Sequence, residues 1–275
     1  MSWISSNLIN TVSTWNGKFI EIVGLLLMPP EAFNNGGVWS VIVNINGAMQ
    51  AIAYALLVLF FVMGVMKTCG NFSEIKRPEQ ALKLFIRFVI AKGIITYGLQ
   101  ILTGIIRVVQ GIASSAYFAK EGAFQTAKLP DGIFLAVESC NFWDKIPLGA
   151  VTILGSLFVT ILSFVMILTV YGRFFKLYMY TAIAPIPLST FAGEPTQNIG
   201  KSFLKNYVAV CLEGVIIVVA CIIFTAFIST TPTINPNDDA ITMVWSYLGQ
   251  LIFNMLILVG TVRMSDRIVK EMMGL

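Results

Sequence analysis

The chain alternates long apolar runs with shorter segments that gather most of its charged residues. An α-helix rises about 1.5 Å per residue, so about 20 apolar residues cross the roughly 30 Å of hydrocarbon in a bilayer. Five runs reach this length: Gly47–Met66, Phe88–Val108, Leu148–Tyr171, Tyr207–Ile228 and Ala240–Val262. The sequence therefore predicts an all-α membrane protein with five transmembrane helices in a domain over residues 47–262.

Residues 1–46 follow a different pattern and form a separate N-terminal region. Apolar residues recur every three or four positions, with Ser, Asn and Thr between them, which predicts an amphipathic helix that ends at Met28-Pro29-Pro30. Such a helix can lie in the membrane interface, pack on the bundle or pack on another subunit. Its apolar positions are Ile4, Leu8, Val12, Trp15, Phe19 and Ile22.

Composition narrows the chemistry that the chain can perform. Hydrophobic residues make up 57% and charged residues 12%, and there is no histidine. The usual general base and the commonest zinc ligand are therefore missing, and an enzyme is not expected. No CxxC pair, metal framework or phosphate-binding motif is present, so no metal or cofactor is expected. The four cysteines are Cys69, Cys140, Cys211 and Cys221.

The basic residues predict the orientation. Twelve of the 18 Lys and Arg residues lie in three segments that alternate correctly if all three are cytoplasmic. The prediction is a five-span protein with its N-terminus outside and a cytoplasmic tail, residues 263–275. The twelve are Lys67, Lys76, Arg77, Lys83, Arg87, Arg173, Lys176, Lys201, Lys205, Arg263, Arg267 and Lys270.

The segment before the fourth span contains two prolines in an apolar context. We call residues 173–205 the arm, within the predicted cytoplasmic segment 172–206. Pro185 and Pro187 remove backbone donors and disfavour helix in the preceding residues. A sixth span over residues 173–191 would move Lys201 and Lys205 outside. The arm is therefore interpreted as a cytoplasmic continuation or a re-entrant element.

The second span carries its polar residues on one side. Their spacing of three or four residues confines them to an arc of roughly 80°, and Gly93, Gly104 and Gly111 form an adjoining stripe. The fifth span repeats the pattern with Gln250 and Asn254. Such stripes either pack helices together in lipid or line a water-filled pathway. The polar stripe of the second span consists of Lys92, Thr96, Gln100, Thr103, Arg107 and Gln110.

Three charges lie inside predicted spans, and Arg107, next to the end of its span, is interpreted as an anchor at the outer interface. Lys92 and Glu213 lie at similar distances from the cytoplasmic boundary, so an ion pair between them is geometrically possible. A charge in the bilayer centre costs roughly 3 kcal/mol or more and therefore usually faces protein or water. The alternatives are a structural pair, a lysine that extends to the interface, or a water-lined pathway.

The segment from Tyr171 to Gly214 resembles a known family. It reads YGRFFKLYMYTAIAPIPLSTFAGEPTQNIGKSFLKNYVAVCLEG. The arginine after a long span, the apolar A-x-A-P-x-P-L stretch and the K-S-F-L-K-N-Y entry to the next span are similar to the TrbL-type family. These proteins are polytopic membrane components of conjugative type IV secretion systems. The resemblance extends from about Gly47 to the C-terminus.

The resemblance implies a non-enzymatic channel or platform subunit in the bacterial cytoplasmic membrane that helps pass DNA with attached protein across it. Implied partners are membrane lipid, a cytoplasmic secretion ATPase, a coupling ATPase, other secretion membrane subunits and the transferred single-stranded DNA. Five helices cannot enclose so wide a conduit, so a homo-oligomer is expected. The alternatives are a small-molecule or ion transporter and a non-conducting scaffold. Candidate ATPase-docking residues in the arm are Arg173, Lys176, Pro185, Pro187, Lys201 and Lys205.

Overall fold

A computed structural model describes residues 2–68, 78–119, 127–228 and 239–275. Within these ranges the chain is helical and contains no strand. The helices are α1 (Trp3–Leu27), α2 (Gly37–Thr68), α3 (Pro78–Thr96), α4 (Gly98–Phe118), α5 (Asp131–Ser139), α6 (Phe142–Ile183), α7 (Pro185–Ser189), α8 (Gln197–Ile228) and α9 (Ala240–Met273). The predicted all-α class is confirmed.

Five segments are long and apolar enough to cross a membrane, as the sequence predicts. They are Pro30–Lys67, Gly98–Phe118, Phe142–Ile183, Gln197–Ala226 and Ala240–Met273. The helices extend beyond the predicted spans, because hydropathy marks only the stretch that lipid can contain. A helix continues past it wherever other residues of the chain pack against it.

The second predicted span is divided between α3 and α4. The break at Tyr97 is slight, because the Tyr97 amide donates to the Gly93 carbonyl at 2.9 Å and the Ile101 amide donates to the Tyr97 carbonyl at 3.0 Å. The two helices therefore share one face pattern across the break. The apolar candidate over this region, Gly98–Phe118, starts later than the predicted Phe88.

The fold divides into two compact units. The first contains Met1–Leu27, Ala113–Gly172 and Val215–Ser265, and the second contains Met28–Ile112, Arg173–Gly214 and Asp266–Leu275.

In the first unit, the apolar face of α1 is buried by the chain itself. All six positions that the periodicity selects are buried, and Trp15 and Phe19 lie 6.4 Å and 6.1 Å from the ring of Phe224 on α8. Of the predicted alternatives, α1 therefore packs on the bundle. The N-terminal end of α1 is held by Glu138 of α5, which accepts hydrogen bonds from the Ser2 amide at 2.6 Å and the Ser5 hydroxyl at 2.8 Å.

In the second unit, the arm packs on α2 and α3. After α6 ends at Ile183, the chain continues through α7 and a 3-10 turn (Thr190–Ala192), and α8 begins at Gln197. α7 and the 3-10 turn both contact α2 and α3. These contacts decide where the arm residues of the candidate site lie.

Candidate functional site: a polar stripe and a proline arm

The polar stripe of α3 and α4 lies on the protein surface. One side of this helix pair is apolar and buried: Ala91, Ile95, Leu102, Ile106 and Val109. The glycine stripe lies on the opposite side of the helix, and a Cβ added at Gly93, Gly104 or Gly111 would meet nothing within 4 Å. The polar stripe runs between these two sides.

Most members of the polar stripe have local partners. Thr96 hydrogen bonds to the Tyr54 hydroxyl at 2.9 Å, and Thr103 donates to the Leu99 carbonyl of its own helix at 3.0 Å. Gln110 donates to the Met28 carbonyl at 2.8 Å. The end of the stripe thus holds the segment that follows α1.

Four stripe residues are exposed: Thr96, whose hydroxyl has the partner given above, and Lys92, Gln100 and Arg107. Arg107 pairs with Glu31 at 3.2 Å but remains largely exposed. Lys92 and Gln100 are exposed, and neither side chain has a hydrogen-bond or ion-pair partner among the described residues. An exposed amide and two exposed cations on a membrane helix are unfavourable against lipid, so this surface requires protein or water beside it.

Glu213 lies near Arg173 rather than Lys92. The Glu213 side chain is buried, and its charge attracts the Arg173 guanidinium. Arg173 also donates to the carbonyls of Val210 and Cys211, both at 3.3 Å. The guanidinium lies against Gly214, where a side chain would collide with it. The hypothesised Lys92–Glu213 pair is not formed.

The polar residues of the other spans are of two kinds: hydroxyls that bond within their own helix, and amides that are exposed or half-buried. In α6, Thr152, Ser156, Thr160 and Ser163 each donate to a carbonyl of their own helix at 2.7–2.9 Å, as packing residues do. In α9, Gln250 is exposed and Asn254 is half-buried. Both lie in the first unit, whereas the polar stripe and Glu213 belong to the second.

The arm uses its candidate residues in two ways. Lys176 pairs with Asp266 at 2.6 Å, and Lys270 pairs with the same carboxylate at 2.8 Å, so the C-terminal tail is tied to the arm. Pro185 is buried and Pro187 is half-buried. Lys201 and Lys205 are exposed and form no ion pair within the described part of the chain. They are the candidate docking residues that remain available.

Pro185 explains a buried contact that the sequence analysis missed. In an α-helix the carbonyl of Thr181 would accept the amide four residues later, but Pro185 has no N–H. The Asn46 side-chain amide of α2 replaces it, donating to the Thr181 carbonyl at 2.6 Å. The Thr181 hydroxyl also bonds to the Tyr207 hydroxyl at 3.1 Å. The position of Pro185 could have indicated the unpaired carbonyl, although not its partner.

The turn of the arm touches α2 backbone to backbone. A Cβ at Gly193 would lie 2.7 Å from the Phe60 carbonyl oxygen, and a Cβ at Gly64 would lie 3.2 Å from the Gly193 Cα. Arg87 of α3 pairs with Glu194 at 3.3 Å beside this contact. The turn is thus fixed at the C-terminal part of α2 and at the middle of α3.

Comparison with known proteins identifies the family. A family model described as TrbL/VirB6 plasmid conjugal transfer like protein matches residues 15–185, more than half of the chain. The match begins in α1, earlier than the resemblance at Gly47, and covers only the first part of the arm. No curated protein and no solved structure matches the chain significantly. The predicted resemblance is confirmed, and the chain belongs to the TrbL/VirB6 plasmid conjugal transfer-like family as a multi-pass membrane component of conjugal transfer.

Proposed function

We propose that this chain is a non-enzymatic channel or platform subunit of a conjugative type IV secretion system, which acts as a homo-oligomer. The observation that carries the proposal is the surface of α3 and α4. A membrane helix that exposes Lys92, Gln100 and Arg107 beside three unobstructed glycines is not suited to lipid. A hydrated space enclosed by several subunits satisfies the polar groups.

The glycine stripe supports a contact with a second copy. Each glycine within a helix costs roughly 0.5–1 kcal/mol relative to alanine, and Gly93, Gly104 and Gly111 have no close neighbour in their own chain. Small residues in membrane helices allow two backbones to approach closely. A neighbouring subunit packed on this stripe would leave the polar stripe at the edge of the contact, facing the enclosed space.

Other components of the secretion system would act at the cytoplasmic side. We assign contact with the secretion ATPase and the coupling ATPase to the turn of the arm and the exposed Lys201 and Lys205 beyond it. The basic loop between the first two spans supports a cytoplasmic membrane location with that loop inside and the N-terminal segment outside. Transferred single-stranded DNA would pass near Lys92 and Arg107, whose charges attract phosphates.

Photocrosslinking tests this function in a conjugative donor. The gene is deleted and complemented with chains that carry a photoreactive residue at Gln100, or at Ile101 as the matched control on another side of the same helix. Loss of transfer on deletion, with crosslinks from position 100 to a second copy and to the transferred strand, would support a channel subunit. Crosslinks to a second copy alone would favour the scaffold.

Unchanged transfer after deletion would contradict the proposal and favour the alternative of a small-molecule or ion transporter. A strictly monomeric state in the membrane, with no crosslink from either position, would also contradict it.

A further inference from the structure

In the first unit, α6 and α9 expose an apolar band to their surroundings. Large apolar side chains are exposed on α6 from Ile146 to Leu168 and on α9 from Trp245 to Met264. Each stretch rises about 30 Å at 1.5 Å per residue, which matches the thickness of the hydrocarbon core. Both helices are candidate membrane spans, so this band is suited to contact with lipid.

A crevice of about 220 Å³ lies between the two helices within this band. Its lining includes Val151, Leu154 and Phe158 of α6 and Trp245, Leu248 and Ile252 of α9. The other two lining residues are the glycines Gly155 and Gly249. A buried water needs two to four polar partners, and an apolar cavity of about 150 Å³ stays dry and binds apolar molecules. The crevice therefore suits an apolar group such as an acyl chain.

A polar cavity of about 690 Å³ lies where the same two helices begin. Its lining includes Asp144 in the first turn of α6, and Asp239 and Ile241 at the start of α9. Asp144 lies seven residues before Val151, and Ile241 lies four residues before Trp245. These spacings put the cavity and the crevice on the same face of each helix. The cavity thus lies beyond one end of the crevice.

Exposed aromatic residues indicate that the cavity lies at the membrane interface. Phe142 and Trp143 at the start of α6 are 76% and 79% exposed, and tryptophan is enriched where a membrane meets water. Trp143 precedes Val151 by about 12 Å along α6. The cavity is therefore at the level of lipid headgroups and the crevice at the level of acyl chains. The charge pattern predicts that this side is the outer one.

The cavity is acidic among the residues that the structure describes. Asp144 and Asp239 are exposed, and neither carboxylate has an ion pair or a hydrogen bond within the described ranges. Lys145 does not line the cavity, so the two carboxylates are the only charged groups of its described lining. An ammonium group, with its charge and three N–H donors, complements this lining, whereas an anionic headgroup is repelled by it.

We propose that the cavity and the crevice together bind one phospholipid with a primary-ammonium headgroup, phosphatidylethanolamine, from the outer leaflet. The ammonium lies beside Asp144 and Asp239, and one acyl chain fills the crevice between α6 and α9. A helix of a second copy could fill the crevice, but it would leave the two carboxylates without a cation. The site lies in the first unit, whereas the glycine stripe proposed to contact a second copy lies in the second.

Native mass spectrometry of the full-length chain in detergent tests the headgroup assignment. The chain is mixed with equal amounts of phosphatidylethanolamine and phosphatidylglycerol, and the lipids that stay bound are followed as the collision energy rises. We expect one phosphatidylethanolamine to remain at energies that remove phosphatidylglycerol. Asp144→Asn combined with Asp239→Asn should abolish this difference. Glu21→Gln, which removes an exposed carboxylate of α1, should leave it unchanged.

A leucine in the crevice tests the position of the acyl chain. Gly249 lines the crevice, and a Cβ added there meets nothing within 4 Å, so Gly249→Leu places its side chain where the acyl chain would lie. Gly260→Leu is the matched control on α9, because a Cβ there also meets nothing within 4 Å and Gly260 does not line the crevice. Only Gly249→Leu should lose the retained phosphatidylethanolamine.

Three results would overturn the inference. The first is equal retention of the two lipids by the unaltered chain, and the second is a preference that survives the paired asparagine substitutions. The third is an unchanged lipid in Gly249→Leu. A Gly249→Leu chain that loses its oligomer, when no lipid was retained before, would identify a second copy as the occupant and also overturn it. The paired asparagines keep the test decisive if a leucine variant does not fold, and no readout depends on DNA transfer.

Discussion

The side-chain amide of Asn46 takes the place of the backbone amide that Pro185 lacks, and so pairs the Thr181 carbonyl across two helices. The donor lies 2.6 Å from the carbonyl oxygen, and both residues are buried. Through this bond a proline-broken helix remains satisfied in an apolar environment. The same bond fixes the depth at which the arm meets α2.

Loss of the Asn46 amide should destabilise the chain more when Pro185 is present than when it is replaced. Asn46→Leu leaves the Thr181 carbonyl unpaired, which costs about 1–3 kcal/mol. Pro185→Ala restores an N–H, so Asn46→Leu should cost less in that background. Thermal unfolding in mild detergent measures the double-mutant cycle. The exposed Asn44 provides the control Asn44→Leu, and equal losses in both backgrounds would refute the replacement of one donor by the other.

Substitution in the glycine stripe should separate the subunit from the assembly. Gly104→Ala adds a methyl group where the chain offers open space, and alanine favours helix by roughly 0.5–1 kcal/mol. Gly104→Leu should abolish the close approach of a second copy without unfolding the monomer. Native electrophoresis of crosslinked membranes measures the oligomer, with Ile101→Leu as the control. An intact oligomer in Gly104→Leu would contradict a contact at the stripe.

Position 193 in the turn of the arm should tolerate no side chain. Gly193→Ala forces a Cβ to within 2.7 Å of the Phe60 carbonyl oxygen, and overpacking of this kind costs about 1–3 kcal/mol. Gly47→Ala is the matched control on α2, because a Cβ there meets nothing within 4 Å. Limited proteolysis should detect a loosened arm in Gly193→Ala alone. Identical cleavage of both variants would show that the contact is not close.

Arg173 and Lys92, the two cations considered as partners of Glu213, should contribute differently to the free energy of unfolding. Arg173→Met removes a guanidinium that contacts two backbone carbonyls and attracts the buried Glu213, and breaking such a buried charge arrangement costs about 3–5 kcal/mol. Lys92→Met should change the free energy of unfolding little, because the Lys92 ammonium is exposed. Denaturation in detergent compares the two. A larger loss in Lys92→Met would restore the original pairing hypothesis.

The N-terminal end of α1 should loosen in acid. Hydrogen bonds from the Ser2 amide and the Ser5 hydroxyl lower the pKa of Glu138 below its ordinary value of 4.5. A lowered pKa in the folded state gives stability that is present above the ordinary pKa and is lost as pH falls through the folded one. Hydrogen exchange at the start of α1 should therefore rise on acidification.

Glu138→Gln should show little of this pH dependence, whereas Glu21→Gln, on the same helix, should retain it. A pH profile of exchange unaffected by Glu138→Gln would contradict the role of that carboxylate.

Local patterns were sufficient for the helices but not for the arm. The periodicity of α1 identified its buried face, because burial on one side of a helix follows a fixed spacing. Hydropathy found five apolar helices, because each one contains a continuous apolar run long enough to cross a membrane. The contact of Asn46 with Thr181 joins residues 135 positions apart, and no local pattern encodes it. The hydrogen bond from the Tyr178 hydroxyl to the Pro30 carbonyl could not be predicted either, because it joins residues 148 positions apart.

The paired glycines at the turn also have a mechanical consequence. Gly193 and α2 meet backbone to backbone, with no flexible side chain between them to absorb a displacement. Any motion of the turn must therefore carry the C-terminal part of α2 with it. In the proposed channel, a change in the width of the passage would take place at surfaces outside this pair.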